Sequence, residues 1–192
     1  MADATERTAA RHSPQRILLT GFMGAGKSTV GILLAERLGW GFLDLDQHVE
    51  SEHGKSVAQI FADHGEPHFR TLESELLASI LAAKNIVIAL GGGALESSAN
   101  RDAIAAAEDT ILVFLDAPFD TLMQRVSMQP DAPQRPLLAD RARAAGRLTE
   151  RLPHYRSAKL HIATASLDPH SVAGRIIAAL GLETLSQERP QP

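Results

Sequence analysis

The 192-residue chain is 44 % hydrophobic and 22 % charged, the balance of a single globular domain that can bury a full core. Nineteen Lys and Arg against twenty-three Asp and Glu leave a net charge of −4, which argues against a nucleic-acid coat protein, and no run is long enough to cross a bilayer. There is no cysteine, so disulfides, thiolate metal sites and a cysteine nucleophile are excluded.

The opening MADATERTAARHSP has no apolar signal-like stretch, and residues 1–15 read as a disordered tail. Ile17 to Thr20 is a short apolar strand that runs into a glycine cluster. Ser28 to Leu38 is apolar at helical spacing and closes at Gly39. Phe42 to Leu45 reads as a second strand. Helices follow over Ser56 to Asp63, ended near Gly65, and over Phe69 to Ala83. Ile86 to Leu90 is a continuous apolar run, as expected of a strand buried on both faces. A helical stretch, SANRDAIAAAE, leads to a fourth strand over Thr110 to Leu115, then a helix from about Pro118 to Arg125. Pro130, Pro133 and Pro136 mark residues 127–138 as a loop, which suits a mobile lid. Ala139 to Arg151 is helical in pattern and rich in arginine. Leu160 to Ala163 is the last strand. Pro169 to Leu180 is the last helix, with Pro169 near its first position and Gly181 just past its end. Residues 182–192 read as a flexible tail. Strands alternating with helices imply an α/β fold, a parallel sheet with helices on both faces, over residues 16–181.

The strongest chemical signal is Gly21-Phe-Met-Gly-Ala-Gly26-Lys27-Ser28, which fits G-x-x-x-x-G-K-[ST] between a strand and a helix. Such a loop turns backbone N–H groups toward phosphate oxygens, and the helix adds its positive end. Gly24, Ala25, Gly26, Lys27, Ser28 and Thr29 form this nucleotide-binding stretch. Lys27 reaches the β- and γ-phosphates, and Ser28 offers its hydroxyl to Mg²⁺. The motif does not name the reaction, since ATPases, GTPases and small-molecule kinases share it.

Leu43-Asp44-Leu45-Asp46 closes the second strand, and strand alternation puts both aspartates on one face. One carboxylate can serve the metal side while the other accepts from an attacking hydroxyl; the alternative is a solvated strand end or a helix cap. No Walker B aspartate is evident after the third or fourth strand, so Asp44 is the metal-side candidate. Gly91-Gly92-Gly93 lets a backbone approach a ligand closely, or simply makes a tight turn. Arg70 stands near a helix start, where a cation opposes the dipole, and Glu73 at i+3 can hold its guanidinium. Gln124 to Arg156 holds seven arginines against three acids, a local +4. Tyr155 is its only aromatic, so a phosphate-neutralising lid is favoured over a single-strand binding patch. His64 and His68 are separated by Gly65 and Pro67, which argues against a helical metal pair. Trp40 reads as packing.

Taken together, GFMGAGKSTVG, LDLD, IFADHGEPHFRTLE, GGGAL, QRPLL and ERLPHYR, in that order, resemble the shikimate kinases from about Arg16 to Leu180. The resemblance implies a five-stranded parallel sheet in the order 2-3-1-4-5, ATP as co-substrate with Mg²⁺, and transfer of the γ-phosphoryl group to the 3-hydroxyl of shikimate. It implies Asp46 as the base and hydroxyl ligand, with Arg70 and Arg151 on the substrate carboxylate. Gly91, Gly92 and Gly93 line the substrate side, and Arg135 is the lid arginine on the phosphates. Arg125 and Pro169 are implied at the adenine. Arg125 to Arg135 is longer and richer in proline than the family pattern. The expected protein is a cytoplasmic monomer with no nucleic-acid or membrane partner. Two rival readings are a kinase for another small hydroxy acid such as gluconate, and a nucleotide-dependent module that binds shikimate without turnover.

Overall fold

In the computed structural model, residues 13–128 and 140–185 are described. Arg135 and all of the 127–138 segment except Ser127 and Met128 lie outside them, as do residues 1–12 and 186–192. Five parallel strands, β1 (Arg16–Thr20), β2 (Gly41–Asp44), β3 (Ile86–Ala89), β4 (Thr110–Asp116) and β5 (Leu160–Ala163), lie in the order β2-β3-β1-β4-β5. The expected order is therefore observed. Every residue of β1 and β3 is buried, which is why both read as unbroken apolar runs.

Helix α1 (Lys27–Leu38) buries Val30, Leu34, Ala35 and Leu38 along one face. Gly39 stops it in the left-handed region at φ 66°, and the Trp40 amide donates back to the Ala35 carbonyl at 2.9 Å, closing a Schellman turn. Trp40 is partly buried against the main core, as packing requires. Beyond β2 come α2 (Leu45–His53), α3 (Val57–His64) and α4 (Glu66–Ile80). A short 3-10 turn over Ala94–Glu96 precedes α5 (Ser98–Ala106); α6 (Phe119–Ser127), α7 (Arg141–Tyr155) and α8 (Pro169–Leu180) follow among the described residues.

Four sequence expectations need correction. The second strand ends at Asp44, and Leu45 opens a helix that the pattern concealed. Asp44 is its N-cap, its carboxylate accepting from the Gln47 amide at 3.3 Å, while Leu45 and Val49 supply a buried face only two residues wide. Asp44 and Asp46 are thus not paired on one strand face; Asp46 lies in the first turn of α2. Helix α4 begins at Glu66, which moves Arg70 into its second turn and removes the dipole argument. Helix α7 continues past Arg151 through Pro153 to Tyr155, although Pro153, in its last turn, has no amide N–H to donate to the preceding turn. Finally, residues 182–185, read as tail, are tied to the domain: the Leu182 amide donates to the Ile177 carbonyl and closes α8, and the Leu185 amide donates to the Arg37 carbonyl of α1 at 2.8 Å.

The main core fills the space between the sheet and α1, α5, α6, α7 and α8. Val49, Ile60 and Phe69 form a second, smaller core among α2, α3 and α4, with Phe61 edge-on to Phe69 at 5.2 Å. At the sheet edge where β1 begins, the buried Arg16 guanidinium donates to Thr110 Oγ1 at 2.8 Å, to the Ala83 carbonyl at 2.9 Å and to the Glu108 carbonyl. One cation there satisfies the ends of two connections.

Candidate active site

The functional residues gather at the opposite edge, beyond the C-terminal ends of β1, β2 and β3, where open α/β sheets place their ligands. The loop after β1 is shaped by its glycines. Gly24 and Gly26 take φ of 76° and 93°, where a side chain is strained. A Cβ on Gly24 would also stand 2.5 Å from the Leu122 carbonyl and 2.8 Å from Val126, so the loop is seated on α6. Lys27 Nζ donates to the Gly21 carbonyl at 2.9 Å and the Phe22 carbonyl at 3.3 Å, which arches the side chain over the loop. Ser28 Oγ donates to Asp44 Oδ2 at 2.5 Å. The hydroxyl and the strand-end carboxylate therefore meet beside the loop, although Asp44 also caps α2.

Across from the loop, the glycine run is a floor. A Cβ on Gly91 would collide with Glu73 Oε1 and stand 2.6 Å from Asp46 Oδ1. Two carboxylates thus converge over Gly91. Burial raises the pKa of Asp46, reinforced by Asp44, while Lys27 and Arg70 pull it back. Glu73 is fully buried, and burial raises it to about 7 against the pull of Arg70. Its Oε1 has no hydrogen-bond partner among the described residues.

The arginines form a row with carboxylates between them. Arg70 donates through Nη1 to Glu73 at 2.7 Å and through Nη2 to Glu66 at 2.8 Å. Glu66 also accepts from Arg147 at 3.3 Å. Arg147 stands 3.6 Å from Glu96 Oε1, and Glu96 Oε2 accepts from Arg151 Nε at 3.2 Å and Nη2 at 2.9 Å. Burial raises the pKa of Glu66, but the hydrogen bond and charge of Arg70, with Arg147 and Arg151, win and lower it. Tyr155, buried one turn beyond Arg151, donates to the Gly92 carbonyl at 2.5 Å and fastens α7 to the glycine floor. Burial holds its hydroxyl protonated by raising the pKa.

The structure therefore brings Lys27, Ser28, Asp44, Asp46, Arg70, Arg151 and Gly91 to Gly93 to one edge of the sheet, with Glu73 on Arg70 as the spacing suggested. Glu66, Glu96, Arg147 and the Tyr155 anchor were not singled out from sequence. The signal for two of them was present: Arg147, Arg151 and Tyr155 recur every four residues, one stripe of a helix. Arg125 is committed elsewhere in part, donating to Thr164 Oγ1 at 3.1 Å and the Thr164 carbonyl at 2.6 Å. That fixes it on the loop leading to Pro169, which shares a groove with Ser28, Thr29 and Ile32. His64 and His68 stack with centroids 4.9 Å apart, but no cluster of three metal-capable His, Cys, Asp or Glu side chains exists among the described residues. No helix among them is long and apolar enough to cross a membrane.

Comparison with known proteins points to one family. A family model described as "Shikimate kinase" matches residues 23–181. A curated shikimate kinase of Salinibacter ruber is 43 % identical over 178 residues, covering 87 % of this chain and 85 % of its own. One of Rhodopseudomonas palustris is 38 % identical over 206 residues, covering 100 % of this chain and 98 % of its own. Among solved structures, the shikimate kinase from Acinetobacter baumannii in complex with shikimate superposes with a TM-score of 0.80 at 35 % identity, covering 88 % of this chain and 94 % of that one.

Proposed function

The chain belongs to the shikimate kinase family, and from that premise we propose that it transfers the γ-phosphoryl group of ATP to the 3-hydroxyl of shikimate, with Asp46 as the base. The observation that carries this reading is the pairing over the glycine floor. Two carboxylates converge there, one of them with a buried oxygen that has no partner among the described residues, and Arg70 and Arg151 stand beside them; the carboxylates suit a ring's hydroxyls and the arginines its carboxylate.

Phosphoryl transfer needs positioning and charge stabilisation more than covalent chemistry. The Gly24–Thr29 backbone cradles the phosphates, and Lys27 follows the β- and γ-oxygens. Arg70 and Arg151 orient the ring by forked hydrogen bonds to its carboxylate, and Gly91 to Gly93 allow it to sit close to the backbone. Asp46 accepts the hydroxyl proton as the hydroxyl oxygen bonds to phosphorus and the bond to the ADP oxygen breaks. Its raised pKa, caused chiefly by burial, brings its proton affinity closer to what a general base needs. Ser28 Oγ and Asp44 are hard oxygen donors in contact, which fits Mg²⁺; the ion, when bound, neutralises charge on the phosphates. Arg125 and Pro169 flank the adenine. For Arg135 the resemblance is the only support, because it lies outside the described residues. One chain supplies both halves of the site, which supports a monomer, and ATP as co-substrate supports a cytoplasmic setting.

The test is a coupled ADP-release assay with shikimate, quinate, gluconate and nucleoside monophosphates. Turnover should require shikimate. Equal turnover with gluconate would overturn the substrate assignment, and shikimate binding without ADP release would favour a non-catalytic module.

A further inference from the structure

Resting on the shikimate reading above, we infer that Glu96 is an internal competitor for the substrate carboxylate, held on Arg151 and handed over to Arg147 when the acid enters. Glu96 Oε2 takes two of the Arg151 donors, Nε at 3.2 Å and Nη2 at 2.9 Å. The same oxygen stands 2.6 Å from where a Gly93 Cβ would be, and Arg70 Nη2 stands 2.5 Å from that point. A protein carboxylate thus lies where both substrate-clamping arginines converge. A substrate carboxylate that takes those donors must move it.

Three observations say where it goes. The second oxygen, Oε1, already faces Arg147 Nη1 at 3.6 Å, longer than a hydrogen bond but within ion-pair range. Arg147 is steadied from its other side by Glu66 at 3.3 Å, so it waits in place. The Glu96 backbone is fixed, its amide donating to the Gly93 carbonyl at 2.9 Å and its carbonyl accepting from Arg101 at 2.9 Å. Its side chain remains 32 % exposed, whereas that of Glu73 in the same row is 0 % exposed. The backbone therefore stays while the carboxylate swings. Competition for donors points the same way: Glu96 already occupies Nε and Nη2 of Arg151, so an incoming acid makes one carboxylate surplus there. Glu96 accordingly sets how strongly the site demands a carboxylate before it opens the clamp.

Glu96→Gln keeps the shape and removes the charge. By calorimetry, shikimate should bind this variant about tenfold more tightly, and the shikimate KM should fall in parallel, with a smaller change in kcat and the ATP KM unmoved. The methyl ester of shikimate, which has no anionic carboxylate, should gain nothing. Arg147→Gln should weaken shikimate binding in the parent protein and do so far less in the Glu96→Gln background. Glu96→Ala, with melting temperature as the control for folding, should repeat the gain. Weaker shikimate binding in both Glu96 variants would show that Glu96 positions Arg151 for the substrate, and would overturn the proposal. So would an equal gain with the ester, or an Arg147 effect that ignores Glu96. Each of these outcomes presupposes that the parent binds shikimate; a parent that does not bind it overturns the functional reading itself.

Discussion

Around Gly21 to Ser28 the backbone makes the site: three glycines at positive φ, a seat on α6 and a lysine arched over its own loop. Around Gly91 to Gly93 the backbone is a floor, and side chains from α2, α4, α7 and the turn after the floor make the site. The first rests on the main core. The second leans partly on the small core of Val49, Ile60 and Phe69. A phosphate is recognised alike in countless proteins and suits a local backbone device. One particular hydroxy acid needs groups drawn from distant parts of the chain, and each must be held by its neighbours.

If the halves are separable, mutations should divide cleanly between them. Lys27→Ala should lower kcat by about 10³, the scale of removing a transition-state charge contact, and Asp46→Asn by about 10², the scale of a lost general base. Steady-state kinetics with both substrates varied checks the division: Asp46→Asn should leave the ATP KM within a small factor. A rise confined to the ATP KM would move Asp46 to the metal side and break the comparison.

Glu73 offers a second cut. Its folded pKa of about 7 lies above the ordinary 4.5, so its contribution to stability is complete below about 4.5 and is lost as pH rises through about 7. Relative to Glu73→Gln, the parent should lose stability of order 3 kcal/mol across that window and no more above it. Denaturant titrations at several pH values would read this. A flat difference would mean that Arg70 keeps the carboxylate ionised throughout.

The gentlest cut is Arg70→Lys or Arg151→Lys, which keeps the charge and loses the planar fork. Each should raise the shikimate KM about tenfold with ATP binding nearly intact. An equal loss for both ligands would mean that the halves are mechanically one.

The same division explains what the sequence made legible. Strands β1 and β3 announce themselves because burial on both faces leaves apolar runs, β4 through its buried Val113 to Leu115, and the phosphate loop because its chemistry is local. Helix α2 hid because LDLD alternates like a strand while Asp44 was already capping, and because only Leu45 and Val49 mark its buried face. Asp46, Arg70 and the glycine run stood out by local pattern, Asp46 on a strand alternation that the fold does not keep, but their roles on the substrate, and that of Arg151, came through family resemblance. Glu66 and Glu96 were not legible, and Arg147 only as part of a helical stripe, because their meaning lies in one another: each is an ordinary charged residue until the fold sets carboxylate against guanidinium.

The Arg16 staple has a practical consequence. It ties down the beginning of β1 at the sheet edge remote from the phosphate loop, with the Gln15 amide also donating to the Asp109 carbonyl at 2.8 Å. The polypeptide therefore enters the domain from the back. A tether attached ahead of Gln15, to a bead or a sensor chip, would pull on a guanidinium anchored to two connections and not on the glycine floor. Immobilised that way, the protein should present its substrate mouth to the flowing solution and keep its solution affinity for shikimate.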